Sequence, residues 1–226
     1  MPARVLNGTS VAAAIRSELP ARIAAMAAAF GRTPGLGIVL AGNDAGSEVY
    51  VRNKLTMAAA MGIRAELARV PADGHVDEVL TIVARLNARD DIDGVLVQSP
   101  LPAGMGPDAE VRVVDLIDPA KDVDGFTAVN AGRLVQHREG LMPCTPAGVI
   151  ELLQRSGITM LGAHAVVIGR SDIVGKPMAM LLLHQHATVT ICHSKTRDLA
   201  DVARSADILV AAIGRPAFVT RDYVKP

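Results

Sequence analysis

Residues 163–196, AHAVVIGRSDIVGKPMAMLLLHQHATVTICHSKT, constrain the fold more than any other stretch: buried strand, glycine-containing turn, helix and second strand follow without interruption. This is half of a dinucleotide-binding unit. The turn after Ile168 carries Gly169, Ser171 and Gly175, close to the G-x-G-x-x-G fingerprint but with serine at the second glycine and one extra residue before the last. Gly169 lets the chain leave the strand sharply and Gly175 lets helix and strand approach closely. The helix start is expected to offer unpaired N–H groups to a pyrophosphate. A purely structural βαβ turn is the competing reading. The second strand, residues 187–192, ends in His193-Ser194-Lys195-Thr196 instead of the acid that grips the ribose hydroxyls of NAD. An acid there repels a 2′-phosphate, whereas hydroxyl, imidazole and ammonium donors accept one, so the tip points to NADP.

The chain has 226 residues, half of them hydrophobic, enough to build one large or two small domains. Basic and acidic residues balance at 23 each and aromatics are only 2%, with no tryptophan. Neither a field for nucleic acid or acidic membrane nor a stacking platform for single strands is available. The partner is expected to be a small molecule. Cys144 and Cys192 lack metal-ligand spacing; both read as inert small apolar residues, in keeping with a reducing cytoplasm. The start, MPARVLNGTSVAAAIRSELP, is interrupted by Gly8 and Pro20 and is not read as a signal peptide, and no apolar run approaches the ~20 residues of a membrane span. A soluble, cytoplasmic protein is expected.

Thr9 or Ser10 is expected to cap an alanine-rich helix running toward Phe30, followed by a strand at 34–41, a helix at 47–62, a strand at 64–70, a helix at 75–88 and a strand at 92–98. Strands separated by helices imply parallel pairing. Residues 118–127 and 138–143 are irregular, and the domain joint is placed between them. Thr145-Pro146 opens a further helix, with proline read at the first helical position. After the dinucleotide unit come a helix near 199–205 and a strand at 207–213. A doubly wound sheet normally continues beyond that point, so truncation at Pro226 is expected. The fold class is α/β: an N-terminal three-layer catalytic domain (1–140) and a Rossmann-like parallel-sheet domain (141–226), with a cleft between them.

Tyr50 and Lys54 stand four apart on one helix and therefore share a face. Lysine, whose pKa falls readily on partial burial, is a plausible proton carrier. On spacing alone, however, the pair reads as a solvated lysine beside a core-edge tyrosine. Gln98 ends the apolar strand IDGVLVQ before Ser99-Pro100, at the sheet edge where ligands of open α/β sheets collect; a simple polar strand end is the alternative. Asp122 and Asp124 alternate in KDVDG. They lack the further oxygens of a calcium loop, so no metal site is expected; they either build the turn or, in one case, pair with ring N–H donors of a ligand.

The blocks SEVYVRNK, DGVLVQSPLP, PAKDVDGFTAVNAGRL, PCTPAGVIELL, GRSDIVGKPMAMLLL and TICHSKT, in this order, resemble the bifunctional methylenetetrahydrofolate dehydrogenase/methenyltetrahydrofolate cyclohydrolase family across nearly the whole chain. The resemblance implies NADP-dependent oxidation of methylenetetrahydrofolate and hydrolysis of the product to formyltetrahydrofolate, in the one-carbon metabolism that serves purine biosynthesis. It implies that Lys54 is the catalytic amine, that Gln98 holds and tunes it, and that Tyr50 lies against the folate. Asp124 would bind the pterin, with Ser47 and Pro100 completing the folate set. Gly169, Arg170, Ser171, Gly175, His193, Ser194 and Ile213 would form the NADP set, with Arg170 and Ser194 near the 2′-phosphate. A homodimer joined through the cofactor domains is implied as well.

Three departures stand out. Ser99 replaces a usual leucine, Thr56 replaces a usual basic residue, and the family's Pro-Gly-rich folate loop and returning helix have no counterpart before Pro226. Two other readings compete: a noncatalytic NADP-binding module, and another two-domain NADP oxidoreductase of shikimate-dehydrogenase type.

Overall fold

The computed structural model describes residues 3–225. The chain divides into two compact units, residues 12–129 and residues 1–11 with 130–226. A long helix, α1 (Gly8–Phe30), precedes the first strand. Its cap is Asn7, not Thr9 or Ser10: the Asn7 side chain accepts from the backbone N–H groups of both, at 3.0 and 3.2 Å. Those two residues already have helical backbone, and the amide one position earlier reaches the orphan donors of the first turn. Pro20 lies inside this helix.

The 12–129 unit contains β1 (Gly35–Ala41), α2 (Ala45–Ala60), β2 (Arg64–Val70), α3 (Val76–Asn87), β3 (Gly94–Gln98) and α4 (Ala109–Leu116). The sheet is parallel, in the order β2-β1-β3. Strand side chains alternate between faces, and β1 shows this directly. Ile38 and Leu40 join Val51 of α2 and Leu96 in one cluster, while Val39 and Ala41 join Val79, Val83, Leu86 and Val113 of α3 and α4 in another. Both faces of β1 are covered, so it reads as a continuous apolar run.

The second unit repeats this plan. Two helices, α5 (Ala128–Val135) and α6 (Cys144–Arg155), lead into β4 (His164–Ile168), α7 (Gly175–His184), β5 (Thr188–Cys192), α8 (Leu199–Arg204) and β6 (Ile208–Ala211). The strands are parallel, in the order β5-β4-β6. Ala165 and Val167 pack with Leu153, Met178 and Leu182, whereas Val166 and Ile168 pack with Cys192, Ala203 and Ala206.

Local expectations need correcting at three points. Pro146 is the third residue of α6, behind Cys144 and Thr145, and Pro143 is the cap. It is still in the first turn, whose N–H groups have no helical partner. The region given to the domain joint holds α5 between its two irregular stretches. Cys192 is buried, and burial pushes its thiol pKa up, but Cys144 is exposed at the start of α6 and does not behave as a small core residue. Among the described residues no helix is long and apolar enough to cross a membrane.

Candidate active site

In both units the first strand is central and the chain passes first to one side and then to the other. The strand order therefore reverses beside β1 in one unit and β4 in the other, and the carboxyl ends of the strands flanking a reversal form a crevice. The chemistry-bearing residues collect at these two places.

In the 12–129 unit, α2 follows β1 through Gly42, whose φ of +84° suits glycine. Its N-cap is Asp44, whose carboxylate accepts from Ser47 N at 2.8 Å; that bond holds the Asp44 pKa below the usual range. The inward strip of α2 comprises Ser47, Val51 and Ala58. Lys54, seven residues from Ser47 and three from Val51, falls on the same strip, which explains its partial burial. Its ammonium donates to Gln98 Oε1 at 3.0 Å. Gln98 is the last residue of β3, in register with Leu40. Spacing alone would have left Lys54 solvated. Tyr50, one turn earlier, is 65% exposed, and Pro100, joined to Ser99 by a cis peptide bond, is also exposed. Ser47 is buried, at 3% exposed.

The KDVDG loop runs beside β3, pairing through Val95 and Asp122, with Val95 N donating to Lys121 O at 2.7 Å. Its two carboxylates differ in role. Asp122 is buried and accepts from Thr127 N at 2.8 Å, closing the turn. Asp124 is partly buried; burial raises its pKa, the positive charge of Lys54 opposes the rise, and Asp122 adds to it.

The Asp124 shift has a consequence for stability. A carboxylate whose pKa is raised by folding costs nothing below the unfolded value, and destabilises the fold increasingly as pH climbs through the folded one. Asp124→Asn is therefore expected to raise the melting temperature at neutral pH, with the gain vanishing in acid. Thermal melts at both pH values check this; a lower neutral-pH melting temperature contradicts it.

In the second unit a recess of about 920 Å³, including its open mouth, is lined by Gly169, Arg170, His193, Ser194, Thr196, Ile213, Arg215 and Phe218, among others. No carboxylate is in this lining, and two guanidinium groups are. That donor set fits a phosphate-bearing dinucleotide. Gly169 has φ +130°, and a Cβ there would lie 2.2 Å from Ala212 O; a Cβ on Gly175 would lie 2.4 Å from Gly169 O. Both glycines are thus required by close backbone approach. Gly169→Ala is expected to destabilise the protein by about 3 kcal/mol; an unchanged melting curve would contradict the close approach.

The free amides expected at the start of α7 are not found. Ser171 Oγ accepts from Val174 N and Gly175 N, each at 3.2 Å, and Ser171 O accepts from Lys176 N at 3.0 Å. The extra residue before Gly175 gives Ser171 the reach to fold back and satisfy the turn itself. At the strand tip, His193 N donates to Thr196 Oγ1 at 2.8 Å and His193 Nδ1 accepts from Lys195 N at 3.1 Å. Lys195 is exposed and is not among the lining residues. Beyond the cofactor set expected from sequence, the lining adds Ile168, Thr196, Leu199, Arg215 and Phe218. Thr196 was legible as the hydroxyl closing the turn, whereas Arg215, stacked 5.4 Å from the Phe218 ring centroid, follows β6 at the same sheet edge. Among the described residues no cluster of three His, Cys, Asp or Glu is placed to hold a metal.

Comparison with known proteins agrees with this picture. Residues 6–124 match the tetrahydrofolate dehydrogenase/cyclohydrolase catalytic domain, and residues 143–226 match the NAD(P)-binding domain of the same family. The bifunctional protein FolD of Solibacter usitatus is 54% identical over 224 residues, which cover 99% of this chain and 72% of that protein. A methylenetetrahydrofolate dehydrogenase from the silkworm Bombyx mori superposes with a TM-score of 0.93 at 39% identity, covering 100% of this chain and 80% of that one. The Trypanosoma brucei methylenetetrahydrofolate dehydrogenase-cyclohydrolase, solved with NADP and an inhibitor, gives 0.91 at 39% identity, covering 100% and 77%. The chain belongs to the tetrahydrofolate dehydrogenase/cyclohydrolase family.

Proposed function

We propose that this chain oxidises methylenetetrahydrofolate to methenyltetrahydrofolate with NADP and hydrolyses the product to formyltetrahydrofolate. The observation that carries the reading is the half-buried Lys54 ammonium held by Gln98 at the carboxyl end of a parallel sheet. Residues 1–140 serve the folate and residues 141–226 the cofactor. When bound, NADP supplies the hydride acceptor. Hydride leaves the one-carbon bridge as the two flanking nitrogens delocalise the developing cation, so this step asks the protein mainly for alignment. Tyr50 and Asp124 provide it on the folate side, the carboxylate accepting from ring N–H donors.

Hydrolysis demands more. Water adds to the methenyl carbon and loses a proton; the carbon–nitrogen bond then breaks as the departing nitrogen gains one and the new hydroxyl gives up its own to become the formyl oxygen, so one proton is released overall. Lys54 performs the transfers from water and to nitrogen. Gln98 orients the amine through a neutral carbonyl, without the strong preference for ammonium that a carboxylate would impose. Arg170, His193 and Ser194 receive the 2′-phosphate. The chain works as a cytoplasmic homodimer joined through its cofactor-binding part; two cysteines outside any disulfide support the compartment, and the open Ile191 on edge strand β5 supports the contact. Incubation with methylenetetrahydrofolate and NADP, with products separated by chromatography, should yield formyltetrahydrofolate. Recovery of untouched substrate would refute the reading.

A further inference from the structure

Gln98 can place Lys54 only if its own amide keeps one orientation. Its Oε1 accepts from Lys54 at 3.0 Å while its Nε2 donates to the carbonyl oxygen of Ser99 at 2.7 Å, so turning the amide breaks both bonds. The Ser99 carbonyl is fixed in turn from α4. Glu110, in the first turn of that helix, accepts from Ser99 Oγ at 3.1 Å through Oε2 and from Leu101 N at 3.0 Å through Oε1. One carboxylate thus grips the loop on both sides of Pro100. The helix N-terminus favours a carboxylate at that position, and neither Lys54 nor Gln98 is among its hydrogen-bond partners.

We propose that Glu110 is a positioning residue for hydrolysis: it fixes the 99–101 loop, the loop carbonyl fixes the Gln98 amide, and the amide fixes the Lys54 amine. Serine at position 99 makes this linkage possible, because its hydroxyl gives the carboxylate a second donor in addition to the Leu101 N–H. The inference rests on the reading in which Lys54 carries the proton. A group that acts only through Gln98 must lose its effect when Gln98 is gone, which separates positioning from general support of the fold.

The test measures hydrolysis kinetics for wild type, Glu110→Ala, Glu110→Gln, Gln98→Ala and the Glu110→Ala/Gln98→Ala double variant, together with solvent exchange of the Gln98 side-chain amide by ¹⁵N NMR. Glu110→Ala is expected to lower kcat roughly five- to tenfold with little change in KM, as expected for loss of two exposed charge-assisted hydrogen bonds. Glu110→Gln, which keeps an acceptor for Leu101 N, should recover most of it. In the Gln98→Ala background Glu110→Ala should add nothing, and Gln98 amide exchange should quicken in Glu110→Ala. Additive losses in the double variant, or unchanged exchange, would overturn the positioning role. A wild type that forms no formyl product overturns the functional reading instead, and the exchange measurement still decides whether Glu110 holds Gln98.

Discussion

Lys54→Met is expected to slow hydrolysis of methenyltetrahydrofolate by about two to four orders of magnitude, the usual worth of a positioned acid–base group, while hydride transfer falls far less. The asymmetry follows from the two steps. Oxidation of the bridge carbon moves no proton through the protein, whereas hydrolysis strips both protons from water and delivers one to nitrogen. Methionine keeps an unbranched apolar stem of similar length on the same strip of α2, so the volume there is nearly conserved. Initial rates measured separately, with methenyltetrahydrofolate for one step and methylenetetrahydrofolate with NADP for the other, check the prediction. Equal loss of both rates would mean that Lys54 serves binding or folding.

Ser194→Asp is expected to weaken NADP by about a hundredfold while leaving NAD nearly unaffected. The substitution removes a hydroxyl donor and sets a carboxylate in a recess whose lining has none. Loss of a bond to a charged group, about 1.5–3 kcal/mol, adds to repulsion of about 1 kcal/mol per charge at contact distance in a solvated site. NAD lacks the 2′-phosphate and feels neither change. Calorimetric titration of both cofactors checks this; an unchanged preference would remove Ser194 from the phosphate site and leave Arg170 and His193 as its donors.

How far these assignments could be read from the chain depended on whether the relevant partner was near in sequence. The acid-free tip at His193–Thr196 needed only its own four residues. Lys54 was different. Its helical spacing from Tyr50 carries no information about Gln98, 44 residues away, and by itself fits a solvated lysine. What distinguishes it is membership of the strip running through Ser47, Val51 and Ala58, and the burial of that strip is a tertiary fact.

The strands are legible because glycines and turns bound short runs; β1 is a near-continuous apolar one, while β2, RAELARV, is set off between Gly62 and Pro71. The helices α4 and α5, eight residues each, went unread. Two turns give too few repeats for periodicity to stand out. The start of α7 differs for another reason: a fingerprint counts glycines, and the Ser171 hydroxyl is engaged by the amides of Val174 and Gly175.

The most direct test of the central claim, that one lysine converts an oxidation product into formyltetrahydrofolate, is a single absorbance time course. Wild type and Lys54→Met are each given methylenetetrahydrofolate and NADP, and the NADPH and methenyl bands are followed together. In wild type the NADPH band should grow with only a transient methenyl band, while in the variant the two should rise in step and persist. A lasting methenyl band in wild type, or none in the variant, would contradict the account.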